Sequence, residues 1–325
     1  MFKQSHLSGF SLAVIIGLLA HFLAPTLGLN GIILGLFSAI FLGNVWKIPE
    51  RFQAGISITG SKLLESSIVF LAFNISLGHV IGIGWQSLLL VIVMIVLILF
   101  VTIYLSSKFH CPGSTGWLVG FGTAICGSSA IAAVAPSISK NKEDVGIALA
   151  VVNLMGSIGM ISLPFVLQWL SIDDLHSGVI IGGSLHAVGN VAGAGYALSE
   201  ETGQVAITIK LARVALLSPS VIFFSYLINR KEAKNWKEHF KLPLYLVTFI
   251  AITLITTFID IPTSFTKVME LLGKISLTIA MTAIGLKISF RELYQSGRKA
   301  LGFGAMIFMV QITIIVMGLA FVSRL

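Results

Sequence analysis

Charged side chains are scarce in this sequence. Only 10% of the 325 residues are Asp, Glu, Lys or Arg, and 56% are hydrophobic, whereas a soluble globular domain has about 25% charged residues. The longest polar stretch, 229–241, is too short to form a soluble domain. A water-soluble core cannot hide this much apolar surface. The composition therefore predicts an all-α integral membrane protein.

Signatures of catalysis and of ATP use are also absent. The sequence has no Walker A pattern and no G-x-S-x-G nucleophile motif. For His186, no second histidine or carboxylate is suitably spaced to form a metal site. We therefore expect no enzyme activity, no resident metal and no organic cofactor. Coupling of a transport step to Na⁺ or H⁺ stays open.

Apolar runs of about 20 residues, each long enough to cross about 30 Å of hydrocarbon, recur along the chain. Eleven transmembrane helices are predicted, at 10–29, 30–46, 61–79, 85–106, 114–139, 144–170, 175–198, 203–228, 242–260, 265–289 and 299–322.

The net charge of +8 would suggest nucleic acid in a soluble protein, but here it indicates basic residues held at the cytoplasmic face. With a cytoplasmic N-terminus and alternating spans, most Lys and Arg fall inside. The outside then holds only Lys140, Lys142, Lys267, Lys274 and Arg324. We predict a multi-pass protein of the bacterial cytoplasmic membrane, embedded in the lipid bilayer, without a nucleic-acid partner. A homodimer stays open.

The second half of the chain resembles the first at an offset of about 148 residues. GIILGLFSAIFLGNV at 31–45 resembles GVIIGGSLHAVGNV at 178–191, and SSAIAAVA at 128–135 lies over SLTIAMTA at 276–283. Chance similarity between apolar segments is the alternative to a true repeat.

This similarity predicts an extra first helix at 1–29 followed by repeats at 30–177 and 178–325. Each repeat holds five spans. An odd number of spans inserts the second copy with inverted topology, which is the architecture of many secondary transporters.

The span 114–139 is rich in glycine, and a break near Gly122–Gly127 would leave a half-helix that begins at Ser128 or Ser129. Its free N–H groups and positive dipole end would then attract an anion at the membrane midplane. The matching segment 273–285 predicts a second broken helix, with Ser276 and Thr282 near its break. Close helix packing through small residues is the alternative.

Charged residues within the spans are few. Lys210 and Arg213 are three apart and share a helix face, and Glu65 occupies the repeat position that matches Arg213. We predict that Glu65 neutralises part of the basic pair or couples transport to protons. The alternatives are that Lys210 snorkels to an interface and that Arg213 forms a structural ion pair.

The span 175–198 adds Ser184, His186 and Asn190 as polar groups. His186 and Asn190 are four apart on one face. His186 either binds an anion when it is protonated or relays a proton. The alternative is a hydrogen-bonded packing residue. Because the interior is net basic, the predicted substrate is an anion.

Four motifs carry a resemblance: GTAICGSSAIAAVAPSI, GSLHAVGNVAGAG, IKLARVALL and AMTAIGLKISFREL. With them the sequence resembles the sulfate exporter family of bacterial membrane proteins, which is similar to the bile acid/sodium symporters. The resemblance implies two inverted five-helix repeats with crossing broken helices at 114–139 and 265–289. It also implies that Gly127, Ser128, Ser129, His186, Lys210 and Arg213 match the family's motif positions.

We therefore expect a secondary active transporter of small anions that exports sulfate, sulfite or small organosulfonates by alternating access. A passive anion channel and a Na⁺-coupled symporter of organic anions are the alternatives. Glu65 and His186 are the predicted charge-partner or coupling residues. The predicted substrate-binding residues are Gly127, Ser128, Ser129, Ser184, His186, Asn190, Lys210, Arg213, Ser276 and Thr282.

Overall fold

The structure is a computed structural model that describes residues 4–27, 29–46, 48–75, 84–108, 113–138, 141–228, 243–288 and 298–322. All the regular secondary structure within these ranges is helical, which confirms the all-α prediction. The polar stretch 229–241 and the outer ends of several predicted spans lie outside the described residues.

The helices follow one another along the chain with short connections. They are α1 (Gln4–Leu23), α2 (Gly31–Val45), α3 (Glu50–Ile58), α4 (Leu64–Leu71), α5 (Trp85–Lys108), α6 (Gly113–Ala124), α7 (Ser128–Ile138), α8 (Lys142–Trp169), α9 (Asp174–Ser184), α10 (Val188–Leu198), α11 (Glu200–Ala215), α12 (Leu217–Ile228), α13 (Leu244–Phe258), α14 (Thr263–Leu286) and α15 (Arg298–Val322).

The chain forms two compact units, and each takes elements from both halves of the sequence. Unit 1 contains α1–α4, α13 and α14, and unit 2 contains α5–α12 and α15. The repeats predicted at 30–177 and 178–325 are sequence intervals, whereas the units are discontinuous along the chain. The predicted 148-residue repeat therefore stays a prediction.

Unit 1 is held together by small residues that let helices approach closely. Ala13, Ala39 and Ala283 lie in its buried core. A Cβ added to Gly17 would come within 2.8 Å of the Cα of Ile279, on α14. The α3 and α4 helices are joined by one π-helical turn, Thr59–Leu63, so they form a single helical stretch.

The α14 helix runs unbroken from Thr263 to Leu286, so the prediction of a second broken helix at 265–289 is wrong. Its glycines serve packing instead. A Cβ on Gly285 would lie 2.6 Å from the carbonyl oxygen of Leu36, and one on Gly273 would lie 2.8 Å from the side chain of Leu71. The small-residue alternative holds for this segment.

In unit 2, α6 and α7 fold back on each other as hairpin 1 (Gly113–Ile138). Ser114 and Thr115, at the start of α6, donate hydrogen bonds of 2.6 and 3.0 Å to the carboxylate of Asp144, in the first turn of α8. Close to the bend, a Cβ on Gly122 would lie 2.8 Å from Ile131 on α7. The start of α6 and the chain leaving α7 therefore lie on the same side.

The α9 and α10 helices form hairpin 2 (Asp174–Leu198) in the same way. Ser199 and Thr202, at the start of α11, each donate a 2.6 Å hydrogen bond to the carboxylate of Asp174. A continuous helix rises about 1.5 Å per residue, so a straight segment would hold Asp174 and Ser199 roughly 37 Å apart. Hairpin 2 begins and ends at the same place.

The bases of the two hairpins lie at opposite ends of α8. This helix has 28 residues and is therefore about 42 Å long. Hairpin 1 has its base at the start of α8, and hairpin 2 has its base just after Trp169, where α8 ends. Their tips meet, because a Cβ on Gly127 would lie 3.5 Å from His186.

The spans predicted at 114–139 and 175–198 are therefore hairpins, and the prediction that each of them crosses the membrane once is wrong. The break predicted within 114–139 is confirmed. Five helical stretches are long and apolar enough to cross a membrane. The pair α11 and α12, bent by 44° beside Pro219, would make a sixth as one span. This count refers only to the described ranges.

One face of α5 is an exposed apolar stripe on the surface of unit 2. Trp85, Leu89, Val93, Val96 and Phe100 are exposed, and they recur every three or four residues along a 24-residue helix. A continuous apolar stripe of this kind is typical of contact with lipid.

Candidate functional site

The tip of hairpin 1 is the three-residue turn Ile125–Gly127. Gly127 has a φ of +73°, in the left-handed region that favours glycine. Its N–H bonds to the carbonyl of Gly122 at 2.8 Å, and its own carbonyl accepts the 3.1 Å bond from Ile131 that starts α7. The glycine thereby reverses the chain within three residues.

The tip of hairpin 2 is Leu185–Ala187. Leu185 is extended, with ψ 151°, and its N–H closes α9 on the carbonyl of Ile181. The carbonyl of Ala187 then starts α10 by accepting from Val191 at 3.1 Å. Both tips thus leave carbonyls at the end of one helix and N–H groups at the start of the next.

Lys210, on α11, ties the two tips together. Its side chain is fully buried. The ammonium nitrogen donates to the carbonyl of Ile125 at 2.6 Å and to that of Leu185 at 2.8 Å. One cation therefore satisfies a backbone acceptor on each tip.

Arg213, one turn further along α11, makes a second bridge and is also fully buried. One terminal nitrogen donates to the carbonyls of Gly182 and Leu185 at 2.9 and 3.0 Å, on hairpin 2. The other donates to Thr123 and Ala124 at 2.9 and 3.0 Å, on hairpin 1. The Nε atom is buried without a hydrogen-bond partner.

All six hydrogen bonds that the two cations donate therefore end on backbone carbonyls. The C-terminal ends of α6 and α9 each carry about half a negative charge. The N-terminal ends of α7 and α10 at the same tips each carry about half a positive charge, so these partial charges cancel. In their protonated forms, Lys210 and Arg213 add two positive charges at the tips. The acidic residues within the described ranges of unit 2 stand in or beside the first turns of α8, α9 and α11: Glu143, Asp144, Asp173, Asp174, Glu200 and Glu201.

His186 lies at the contact between the tips and is 1% exposed. Its Nε2 is 3.3 Å from the hydroxyl of Thr123, and its ring lies 5.0 Å from that of Phe308 on α15. The other ring nitrogen, Nδ1, is buried without a partner. An unpaired buried polar atom is costly, so it marks a place that a proton or a ligand can complete.

Asn190 is also buried and packs with His186 against Gly156 of α8. A Cβ on Gly156 would lie 2.3 Å from the Asn190 amide nitrogen and 3.3 Å from the His186 Cβ. Ser184 has turned away, because its hydroxyl donates to the carbonyl of Ile180 on its own helix at 2.5 Å.

Ser128 and Ser129, the first residues of α7, are exposed. The Ser129 hydroxyl lies 2.9 Å from the sulfur of Cys126, with which it shares a hydrogen bond. The first two side chains of α7 are therefore exposed directly beside the buried turn Ile125–Gly127.

The other predicted site residues belong to unit 1. Glu65 forms a surface ion pair with Lys62 at 2.9 Å. The neutralisation of the basic pair by Glu65 stays a prediction. Thr282 is buried and donates to the carbonyl of Thr278 at 2.9 Å, and Ser276 is half-buried. Both side chains lie on the unbroken α14.

Two residues of the tip assembly escaped the sequence reasoning. The Thr123 hydroxyl lies at hydrogen-bond distance from Nε2 of His186. Gln311 on α15 donates a 2.9 Å hydrogen bond to the carbonyl of Gly183. An amide within an otherwise apolar helix was the only sequence signal for Gln311. Nothing in the local sequence marks Thr123.

The chain matches the model of a protein family described as "Conserved hypothetical protein 698" over residues 8–304. It belongs to this family. A UPF0324 membrane protein of Helicobacter hepaticus is 30% identical, with 94% of this chain and 95% of the relative covered. The UPF0324 membrane protein YdhF of Lactococcus lactis is 29% identical, with 96% and 97% covered. Family members are thus membrane proteins, as the composition predicts.

Among solved structures, the sodium proton antiporter MjNhaP1 of Methanocaldococcus jannaschii aligns with 93% of this chain and 98% of its own. The sequence identity is 13% and the TM-score 0.29. A likeness at this level carries no information about the substrate of this family member.

Proposed function

We propose that this protein is a secondary transporter of small anions that works by alternating access and exports sulfate, sulfite or small organosulfonates. The observation that carries the proposal is the pair Lys210 and Arg213. Both are fully buried where the two hairpin tips meet, and neither bonds to a carboxylate among the residues that the structure describes. An anion at the tips would supply the missing negative charge.

The start of α7 supports the position of this anion. Ser128 and Ser129 are exposed there, and the first N–H groups of an α-helix have no partner within it. The unpaired, buried Nδ1 of His186 belongs to the side chain that packs beside Gly127, one residue before α7. Hydroxyl, N–H and imidazole groups are suited to a sulfur oxyanion and equally to a sulfonate head group.

The opposed hairpins support alternating access. Each hairpin has its base at one end of α8 and its tip at the common meeting point. In the proposed cycle, displacement of hairpin 1 opens the tips toward one side of the membrane, and displacement of hairpin 2 opens them toward the other. Lys210 and Arg213 close both routes when they bridge the tips.

Counting basic residues again supports a cytoplasmic N-terminus in the bacterial cytoplasmic membrane. If each hairpin enters and leaves on one side, α8 runs in the direction opposite to that first predicted. Lys140 and Lys142 then move to the cytoplasmic side, while Asp173, Asp174 and the Glu200–Glu201 pair lie outside. The excess of Lys and Arg inside becomes larger.

The test is uptake of labelled sulfate, sulfite and a small sulfonate into proteoliposomes, with counterflow measured against the same anions. A carrier gives saturable flux and counterflow. A passive anion channel gives neither, and a flux that needs a Na⁺ gradient indicates the Na⁺-coupled alternative. Equal rates in liposomes with and without protein would refute the proposal.

A matched pair of variants tests the position of the site. Ser128→Asp places a carboxylate at the start of α7, where the helix dipole favours it, so the fold is kept while the anion's place is filled. We expect at least a tenfold loss of sulfate flux. The control is Ser107→Asp, an exposed serine near the end of α5, which should transport at the wild-type rate.

A further inference from the structure

We propose that His186 takes up a proton together with the substrate anion, so that one proton and one anion travel through this protein in the same direction. The inference rests on the proposed function and adds to it the sign of the coupling. It excludes an exchange in which a proton enters as the anion leaves.

The hydrogen bonds around the ring fix which nitrogen is free. The Thr123 hydroxyl has one hydrogen, and it donates this hydrogen to the carbonyl of Val119 at 2.8 Å. Toward His186 it can therefore only accept, so Nε2, at 3.3 Å, must carry a hydrogen. In the neutral ring Nδ1 is then a bare acceptor, and it is the nitrogen that the structure leaves without a partner.

Within the described part of the chain, the groups around His186 are positively charged or uncharged. Lys210 and Arg213 both donate to the carbonyl of Leu185, the residue next to the histidine. Cys126, a free cysteine, is the titratable group on the tip of hairpin 1. The remaining elements in contact contribute uncharged groups: Gly156 from α8, Asn190 from α10 and Phe308 from α15.

These surroundings link the proton to the anion. A proton on Nδ1 would add a third positive charge to two that lack a carboxylate partner, in a medium that screens charge poorly. A bound anion removes this penalty. The new Nδ1–H is in turn a charge-assisted donor for an anion oxygen. Each ligand therefore raises the affinity for the other, as linkage requires.

The stoichiometry agrees with export. A sulfate dianion that moves with one proton carries one net negative charge. A membrane potential that is negative inside drives such a complex outward. An exporter built in this way needs no inward flow of a second ion.

The experiment uses proteoliposomes loaded with sulfate and a pH-sensitive dye, diluted into sulfate-free buffer of the same pH. Outward movement of sulfate with a proton makes the interior more alkaline, at about one proton per sulfate. An interior that becomes acidic indicates exchange and overturns the inference, as does sulfate efflux without a pH change. Absence of saturable efflux from the wild type would instead refute the proposed function.

Two histidine variants sharpen the test. Glutamine at position 186 can still donate to Thr123 but cannot titrate, so His186→Gln should lower the ratio of protons to sulfate at least tenfold. His176→Gln is the control, because His176 is partly exposed beside Asp173, and it should keep the wild-type ratio. An unchanged ratio in His186→Gln would overturn the inference.

A binding measurement covers the case in which His186→Gln no longer transports. Sulfate is added to the detergent-solubilised proteins in weakly buffered solution, and the pH is recorded. The wild type and His176→Gln should take up protons as sulfate binds, and His186→Gln should take up none. Sulfate binding to the wild type without proton uptake would contradict the inference.

Discussion

Lys210 and Arg213 donate to one shared acceptor, the carbonyl oxygen of Leu185, at 2.8 and 3.0 Å. Arg213 also donates to Gly182 on the same hairpin, and the other three bonds reach Thr123, Ala124 and Ile125 on hairpin 1. Two cations that would repel each other in isolation are thus held one helical turn apart by carbonyls that otherwise lack partners. The basic pair is first of all a clamp on two tips, and the proposal that the protein binds anions depends on its charge.

Arg213→Leu should destabilise the protein strongly, because it removes the four hydrogen bonds that the guanidinium donates. Of the four acceptors, the Leu185 carbonyl keeps Lys210 as a donor. Hydrogen bonds to charged groups contribute about 1.5–3 kcal/mol each, so a loss of several kcal/mol is expected. Arg213→Lys keeps the charge but has fewer hydrogen-bond donors, so its stability should lie between those of the wild type and Arg213→Leu. Thermal unfolding in detergent measures the effect.

The control for this series is Lys62→Gln. Lys62 forms an exposed ion pair with Glu65, and such pairs contribute little to stability. Its melting temperature should equal that of the wild type. If Arg213→Leu has the same melting temperature as Lys62→Gln, the hydrogen bonds of Arg213 do not stabilise the contact between the tips.

The hairpins can be tested by labelling single cysteines from one side of the membrane in a variant without Cys111 and Cys126. Cysteines at Ser114 and Asn141, at the base of hairpin 1, should react from the same side. Cysteines at Asp173 and Ser199, at the base of hairpin 2, should react from the opposite side. Reaction of positions 114 and 141 from opposite sides would mean that this segment crosses the membrane.

Gly127→Ala should lower stability by roughly 1–2 kcal/mol, because an L-residue is strained at a φ of +73°. The added methyl group itself finds ordinary contacts at 3.5 Å, so the backbone is the cause. Gly146→Ala on α8 is the matched control: nothing lies within 4 Å of its Cβ position, and it should stabilise by about 0.5–1 kcal/mol. Both are measured by thermal unfolding, and equal shifts would contradict the strained turn.

Asp173 should make stability depend on pH in acid. Burial raises the pKa of its carboxyl, but the hydrogen bonds from the His176 backbone and ring outweigh it, so the pKa lies below its ordinary value. The interaction is therefore complete above the ordinary value of about 3.9 and is lost as the pH falls through the lower value of the folded protein.

Asp173→Asn tests this without removing the cap of α9, because Asn is an equally good N-cap. Between pH 6 and pH 3 the melting temperature of the wild type should fall by more than that of the variant. Parallel curves for the two proteins would show that Asp173 does not contribute to acid sensitivity.

Much of the site was predictable from single residues, and little of its geometry was. The break near Gly127 followed from the cost of glycine in a helix, and the importance of Lys210 and Arg213 from the rarity of charge in apolar spans. The direction of the chain after the break did not follow. Whether it continues or turns back depends on Asp144 and Asp174, whose hydroxyl partners lie about 25 to 30 residues away in sequence.

The sequence by itself determined that the protein is helical and lies in lipid, because its apolar runs of about 20 residues have the length of membrane-spanning helices, in which the backbone groups pair internally. It also determined that the interior is net basic. The tertiary structure decided that the segment 174–198 folds back as a hairpin whose tip meets hairpin 1. Glycine has the same local pattern whether it breaks a helix or packs one, and only the neighbours it contacts distinguish the two, Leu36 in α14's case and His186 at the tips.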